Sequence, residues 1–180
     1  GLYDFFGGKV PVSEIEEIIT GGKDLPFEDY LECRLMNLIV ETFYNNAMFE
    51  EVYSMIRAVG GSVFDCLLHI KDHPERQSRR VKEIVAEFLK QTSVDLYDSR
   101  KEAEDYVLTP EVIERYIGGE LGINELLVHR ALLFCEFQGI CGLLFGAVRE
   151  TLSAKGLLTP AVAEYLGELG YADAEDLENL

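Results

Sequence analysis

The sequence has no tryptophan, little proline and a shortage of positive charge: its 180 residues include 5 prolines, 16 lysines and arginines, and 33 aspartates and glutamates. The formal net charge of −17 argues against a nucleic-acid partner, because phosphate backbones are bound by basic patches. One basic cluster stands out, in "KDHPERQSRRVK" at 71–82. We interpret it as a solvated loop and first helical turn, with a surface for an acidic partner or an anionic ligand as the alternative.

Cysteine is also scarce. Cys33, Cys66, Cys135 and Cys141 lie within apolar runs and lack the dense, regular spacing of small secreted disulfide scaffolds. They predict reduced thiols and a cytoplasmic location. No basic segment followed by an apolar stretch and a cleavage site opens the sequence, so no secretory signal is predicted. Because the first residue is Gly1, we expect either a tag remnant or a C-terminal fragment of a larger protein.

Catalytic signatures are missing from the sequence. It contains no Glu-x-x-His or His-Glu-x-x-His spacing, no Gly-x-Ser-x-Gly and no glycine-rich phosphate loop, which disfavours several enzyme classes. His69 and His73 have the i, i+4 spacing of a metal-binding pair, but Pro74 ends their helix, so we interpret them as solvated. We predict no catalytic, cofactor-binding or metal-binding residue in this chain.

Signals for the starts and ends of helices are plentiful. Prolines in first turns, acidic residues near N-termini, and glycines or asparagines at ends delimit the helical runs. The predicted helices lie at about 26–45, 47–59, 63–71, 75–99, 109–117, 123–154 and from 159, before an acidic tail, 171–180, that is expected to fray. For "VPVSEIEEII" (10–19) we prefer a helix with a capping box of Ser13 and Glu16, with an extended segment as the alternative.

These signals predict an all-α fold: residues 1–180 form a single-domain helical bundle of about seven helices around a long, apolar central helix. The predicted core comprises Phe27, Leu31, Leu35, Leu38, Ile39, Phe43, Val52, Ile56, Leu67, Ile84, Phe88, Leu132, Phe137, Leu144 and Val148. As one helix, 123–154 would be about 50 Å long. Glu136 near its centre would cost about 2.5–3.5 kcal/mol in a bilayer, so we predict a buried central helix and no membrane partner.

Small residues are aligned along this predicted central helix. At about 100° per residue, Cys135, Gly139, Gly142 and Gly146 share one line. That line predicts either close helix packing or a groove for a flat ligand. Cys141 points about 120° away from Cys135 on the same projection, so the two thiols cannot jointly bind a metal ion from one continuous helix.

Two pairs of polar residues, each seven apart, lie on apolar helix faces. His129 and Glu136 form one pair on the central helix, and Arg34 and Glu41 form the other on 26–45. We interpret all four as hydrogen-bonded structural groups, since buried polar groups are normally satisfied. Ligand binding or proton transfer is the alternative, because buried titratable groups are where tuned acids and bases occur.

The sequences of several predicted helices resemble those of a known protein family. "LPFEDYLECRLMNLIVETFYNNAMFEEV", "FDCLLHI", "DLYDSRKEAEDYV" and "VIERYIGGELGINELLVHRALLF" resemble the C-terminal helical region of cobalamin-binding-type radical S-adenosylmethionine (radical SAM) proteins. The resemblance covers about residues 9–150. In that family a Rossmann-like cobalamin-binding domain and a radical-enzyme barrel precede the helical extension.

The resemblance implies a non-catalytic accessory domain. The iron-sulfur cluster, S-adenosylmethionine and cobalamin would then belong to the parent protein upstream of Gly1, because the four cysteines here do not fit the family's Cys-x-x-x-Cys-x-x-Cys motif. Its partners would be the N-terminal domains of the parent protein, a protein partner or a second copy, and its roles substrate or partner contact, barrel capping or oligomerisation. The alternative is a free-standing helical interaction module or a small-molecule sensor with a pocket along the Cys135–Gly146 line.

Overall fold

A computed structural model describes residues 2–12, 15–94 and 96–175 of the chain. It is mostly helical, with 67% of the described residues in helices, so the coarse prediction of a helical protein is confirmed. The described residues form a two-stranded hairpin and nine α-helices rather than about seven. The elements are β1 Leu2–Phe5, β2 Gly8–Pro11, α1 Phe27–Phe43, α2 Glu50–Ala58, α3 Val63–Asp72, α4 Arg79–Val94, α5 Arg100–Val107, α6 Pro110–Ile117, α7 Glu125–Phe134, α8 Phe137–Ala154 and α9 Pro160–Glu175.

The N-terminal hairpin was not predicted. Tyr3 of β1 pairs with Val10 of β2 in an antiparallel register, and 15–20 form no helix, so the predicted helix over 10–19 is wrong in its described part. Ser13 of the proposed capping box lies outside the described residues. The turn between the strands has positive φ at Phe6 (49°) and Gly7 (80°), which matches the twist that a two-residue hairpin loop needs.

Helix starts were predicted better than helix lengths. The Ser62 hydroxyl accepts the Asp65 N–H at 3.2 Å and caps α3 as expected. The predicted run 75–99 is wrong at both ends, since Pro74–Arg76 form a 3₁₀ turn and α4 covers only Arg79–Val94. The Ser99 hydroxyl accepts the Glu102 N–H at 3.2 Å and starts the separate helix α5, a capping signal that the sequence reading overlooked.

The core lies between seven helices, α1–α4 and α7–α9. Helix α3 packs between α1 and α8, α7 packs on α1 and α4, and α9 lies against α8. The largest fully buried side chains are Tyr53, Phe49, Phe88, Leu38, Ile56, Ile140, Leu144, Leu152 and Leu166. Most predicted core residues are buried, and Leu31, Leu35 and Phe137 are partly buried. Phe27 and Leu132 are exposed, so their assignment to the core is wrong.

The long central helix does not exist. Helix α7 ends at Phe134 and α8 begins at Phe137, and the two axes are bent by 89°. At the corner the Phe137 ring stacks on Phe49, with ring centroids 6.4 Å apart. Among the described residues no single helix has the length and apolar content of a membrane span, and the bent α7–α8 pair alone resembles one by length and composition.

Two glycines provide a test of this packing. A Cβ added at Gly61 would lie 2.8 Å from Leu152 Cδ2 and 2.9 Å from Ile56 Cγ2, so we expect Gly61→Ala to lower the free energy of unfolding by about 1–3 kcal/mol through overpacking. At Gly146, inside α8, no described atom other than its chain neighbours and the backbone of its own helix lies within 4 Å of an added Cβ. We expect Gly146→Ala to raise the free energy of unfolding by about 0.5–1 kcal/mol.

Urea denaturation followed by circular dichroism measures both changes. Each variant serves as the control for the other, because both make the same chemical substitution. Equal effects at the two positions would contradict the close approach of Gly61 to α8.

Candidate functional site

The candidate residue Arg34 lies where α1, α4 and α7 meet. Its guanidinium carbon is 5.4 Å from the centre of the Phe88 ring, a distance at which a cation is attracted to the ring face. The same ring meets His129 edge-on, with ring centroids 5.4 Å apart. The three helices are thus joined by contacts among one side chain from each, namely Arg34, Phe88 and His129. The buried Nε of Arg34 has no hydrogen-bond partner in the described part of the chain.

His129 is a buried side chain bonded to its own helix. Its Nδ1 lies 2.8 Å from the carbonyl oxygen of Glu125, one turn earlier in α7. A carbonyl oxygen only accepts, so Nδ1 carries the proton and donates. This arrangement fits the structural interpretation of His129, and a proton-transfer role for it stays a prediction.

Glu41 connects α1 to α7. Its Oε1 accepts a hydrogen bond from Arg130 Nη1 at 2.6 Å, and both side chains are largely shielded from solvent. Its Oε2 accepts from Asn45 Nδ2, also at 2.6 Å. Arg130 was not predicted as a partner, because it lies on a different helix from Glu41. Its position next to His129 on the same helix was the available signal.

Glu136 does not share a face with His129. The two were paired on a continuous helix, and Glu136 instead immediately precedes the first residue of α8, at the 89° corner. It is half-buried. The prediction that His129 and Glu136 share one helix face is therefore wrong. A ligand role for Glu136 stays a prediction, but His129 is not its neighbour on that face.

The predicted line of small residues is also interrupted at the corner. Cys135 is exposed at the end of α7, whereas the three glycines lie on α8. Gly139 packs near Ser78 and Val81, since an added Cβ would lie 3.7 Å from an atom of each. Gly142 and Gly146 have no described atom within 4 Å of such a Cβ. One continuous groove over Cys135, Gly139, Gly142 and Gly146 is therefore not formed as projected.

The histidines at the end of α3 bond to separate carboxylates. His69 Nε2 lies 3.0 Å from Glu150 Oε2, and His73 Nδ1 lies 2.8 Å from Glu75 Oε1. The two rings are in contact, with centroids 4.1 Å apart. Within the described residues no group of three histidine, cysteine, aspartate or glutamate side chains is arranged to hold a metal ion.

The basic cluster at 71–82 is mostly paired within the chain. Lys71 Nζ lies 2.6 Å from Glu32, Arg76 lies 2.8 Å from Glu150, and Arg79 and Arg80 each lie 3.3 Å from Glu83. These pairs offset much of the positive charge that an anionic ligand would need. The geometry therefore favours a solvated, internally paired surface over an anion site.

The outer face of α7 carries an apolar stripe that the sequence reading missed. Leu127, Val128 and Leu132 are 44%, 38% and 37% exposed, and Ala131 and Cys135 beside them are exposed too. These five residues, the α7 stripe, cover an arc of about 140° with no polar side chain among them. The opposite face buries His129 and Leu133. The polar residues of α7, namely Glu125, His129 and Arg130, are buried or half-buried, so the pattern of polar residues does not reveal that the apolar face is exposed.

A cleft of about 970 Å³ lies between 15–20, the start of α1, the α4–α5 connection and α6. Its walls combine apolar and aromatic side chains with carboxylates, namely Ile15, Ile18, Leu96, Phe27, Tyr97, Tyr116, Glu16, Glu17 and Asp98. Arg100 also lines it, and its guanidinium is held by Glu104 at 2.8 Å. A mixed apolar and acidic wall suits an amphiphilic, cationic small molecule.

Comparison of the chain with models of known protein families, with curated proteins and with solved structures gave no match. The resemblance to radical SAM proteins therefore stays a prediction.

The cysteines are predicted to differ sharply in reactivity. Cys66 is buried, with Sγ 3.1 Å from Thr151 Oγ1, and burial raises the pKa of its thiol, which lowers the amount of reactive thiolate. We expect iodoacetamide to label Cys66 at least about 100-fold more slowly than the exposed Cys33 and Cys135, because labelling requires local opening.

Peptide mass spectrometry at successive times measures the three rates, and labelling in denaturant provides the control in which the rates converge. Equal rates for Cys66 and Cys33 in the folded protein would contradict the buried position of Cys66.

Proposed function

We propose that the chain is a non-catalytic helical interaction domain, the C-terminal accessory region of a radical SAM enzyme, and that it docks through the α7 stripe. The observation that carries the proposal is the stripe itself: Leu127, Val128 and Leu132 are exposed side by side, with no polar side chain between them. A contiguous exposed apolar patch is a candidate interaction site, and it is often functional when it is rimmed by polar residues.

The polar candidate residues support a structural rather than a chemical role for this part of the chain. Glu41 binds Arg130 across the α1–α7 interface. Arg34 and His129 each contact the ring of Phe88. The Glu41–Arg130 and Phe88–His129 contacts hold α7 in place against α1 and α4, and the Arg34–Phe88 contact joins α1 to α4. In this proposal, the polar candidates Arg34, Glu41 and His129 thus serve to position the stripe.

The size of the stripe favours a partner that is covalently linked. Its exposed side chains amount to roughly 200–300 Å² of apolar surface, worth about 5–8 kcal/mol when removed from water. Association of free partners costs about 4–15 kcal/mol in lost translational and rotational freedom. A linker removes much of that cost by raising the effective concentration to the millimolar range or above. The barrel of the same enzyme satisfies this condition.

A second candidate function, small-molecule sensing, is favoured by the cleft of about 970 Å³. Its volume lies in the range of small-molecule sites, which are about 300–1,000 Å³. The cleft is lined by α4, α5 and α6, away from the Cys135–Gly146 line on which the sequence reading placed a pocket. Such a sensor would need no radical enzyme upstream.

The upstream reading frame and the α7 stripe provide the test of the accessory role. We expect the native frame to encode Cys-x-x-x-Cys-x-x-Cys within alternating strands and helices. In that longer protein, Leu127→Glu combined with Leu132→Glu is expected to lower S-adenosylmethionine turnover at least about fivefold and to increase the radius of gyration measured by X-ray scattering, because burying two carboxylates at the docked face is unfavourable.

The matched control is Leu108→Glu combined with Ile117→Glu, which makes the same charge change at exposed apolar positions outside the stripe. Both double variants of the isolated chain should keep their stability within about 0.5 kcal/mol per site. A native start codon immediately before the Gly1 codon would contradict the radical-enzyme proposal, and identical behaviour of the two double variants would contradict the docking role of the stripe.

The sensing alternative predicts thermal stabilisation by a cationic amphiphile. A ligand present at 100 times its Kd adds about 2.7 kcal/mol, which for this chain length raises Tm by about 5–10 °C. Ser93→Trp, at a half-buried residue lining the cleft, should abolish the increase. Ser54→Trp, at an exposed residue outside the cleft, should not. An increase that persists in Ser93→Trp would place the ligand elsewhere.

A further inference from the structure

The cleft of about 970 Å³ carries more negative than positive charge. Glu16, Glu17 and Asp98 line it, whereas Arg100 is the one basic residue among the lining residues that the structure describes. The hydrogen bond that Arg100 donates to Glu104 and, to a smaller extent, the charge of Glu17 raise the pKa of the Arg100 guanidinium. Because Glu104 at 2.8 Å already holds this guanidinium, the cleft offers a surplus of negative charge to an occupant.

The three carboxylates of the cleft are accessible and spread out. Glu16, Glu17 and Asp98 are exposed, and none of them forms a salt bridge with any residue that the structure describes. In the same part of the chain no three histidine, cysteine or carboxylate side chains are arranged to hold a metal ion, which would need its ligands at about 2.0–2.6 Å. The charge of the cleft therefore suits an extended organic cation better than a metal ion.

Aromatic rings from three parts of the chain also line the cleft. Phe27 is the first residue of α1, Tyr97 lies between α4 and α5, and Tyr116 lies on α6. The apolar side chains of Ile18 and Leu96 lie in the same wall. A ring face attracts an ammonium group within about 6 Å of its centre, and apolar side chains favour contact with methylene groups over contact with water. An occupant that combines ammonium and methylene groups can therefore use both kinds of wall.

The number of carboxylates favours an occupant with several positive charges. A ligand that fills the cleft displaces the water that screens these carboxylates from one another, and their mutual repulsion grows as the local dielectric constant falls. A ligand with one ammonium group offsets only one of the three charges, whereas a ligand with two or three offsets most of them. Carboxylates that are spread along a cleft match positive charges that are likewise spread along a flexible chain.

We propose that the cleft binds a linear polyamine, with its ammonium groups at Glu16, Glu17 and Asp98 and its methylene segments against Phe27 and Tyr116. The inference rests on small-molecule sensing, the second candidate function above, and it specifies the class of ligand for that cleft. It does not depend on docking through the α7 stripe. A singly charged amphiphile would use the same apolar wall but would leave two carboxylates without a partner.

The test is a titration of the isotope-labelled chain with butylamine, putrescine and spermidine, observed by ¹H–¹⁵N NMR at physiological ionic strength and constant pH. The three amines share an aminobutyl unit and carry one, two and three ammonium groups. We expect the affinity to rise at least about fivefold with each added ammonium group, because each one meets a further carboxylate. The amide signals of 16–18 and 97–100 are expected to shift.

Neutral variants separate the cleft from the net charge of −17, which attracts any polycation. Glu16→Gln combined with Glu17→Gln is expected to weaken spermidine binding at least about tenfold. The matched control, Glu164→Gln combined with Glu168→Gln on α9, changes the net charge equally and should alter the affinity less than about twofold, because distant charges are screened. All four positions are exposed, so folding is expected to be preserved, and circular dichroism checks it.

The outcomes distinguish the polyamine proposal from sensing itself. Equal affinities of butylamine and spermidine for the cleft, or tighter binding there of a singly charged amphiphile, would overturn the polyamine proposal and leave sensing by the cleft standing. An equal loss of spermidine affinity in the two variant pairs, or amide shifts confined to residues outside the cleft, would overturn it as binding to the net charge alone. If neither the amines nor a cationic amphiphile shifted the amide signals of the cleft, both proposals would fail.

Discussion

The 89° bend between α7 and α8 determines how the rest of the chain can pack. A straight helix over 123–154 would be about 48 Å long, whereas a compact domain of this length is about 40 Å across. Part of its apolar surface would therefore extend into water. Bending at Cys135–Glu136 places α7 against α1 and α4 and α8 against α3 and α9. One apolar segment thereby fills two parts of the core, and the cost is that the outer face of α7 is left uncovered.

Polar contacts hold α7 in the orientation that presents this face. The Glu41–Arg130 pair and the contacts of Arg34 and His129 with Phe88 are directional, unlike the apolar packing around them. Directional contacts select one rotation of α7 about its axis, and a different rotation would bury Leu127 and Leu132 and expose His129. Since a rigid surface binds with a smaller entropy cost than a mobile one, these contacts would contribute to the proposed docking without touching the partner.

The sequence predicted features that depend on local chemistry and missed those that depend on tertiary context. Ser62 capping α3 and Pro110 opening α6 were readable, because a hydroxyl before a helix and a proline in its first turn act within a few residues. The bend at Cys135–Glu136 carries no proline or glycine, so no local signal marks it. The exposure of Leu132 was missed for a related reason, since the polar residues His129 and Arg130 of α7 contact α4 and α1 and do not mark the solvent side. Arg34 and Glu41 were identified as partly buried polar groups, but Phe88 and Arg130, which contact them, lie on other helices.

The net charge of −17 gives the exposed stripe a selective role. An apolar face on a neutral protein would promote association between copies, whereas repulsion between strongly charged copies opposes it. The same negative field attracts a basic segment, and it acts over about 8 Å at physiological ionic strength. In the proposed docking, hydrophobic burial along Leu127, Val128 and Leu132 would supply the binding energy. The scarcity of lysine and arginine, which argues against a nucleic-acid partner, thus also disfavours association between copies through the α7 stripe.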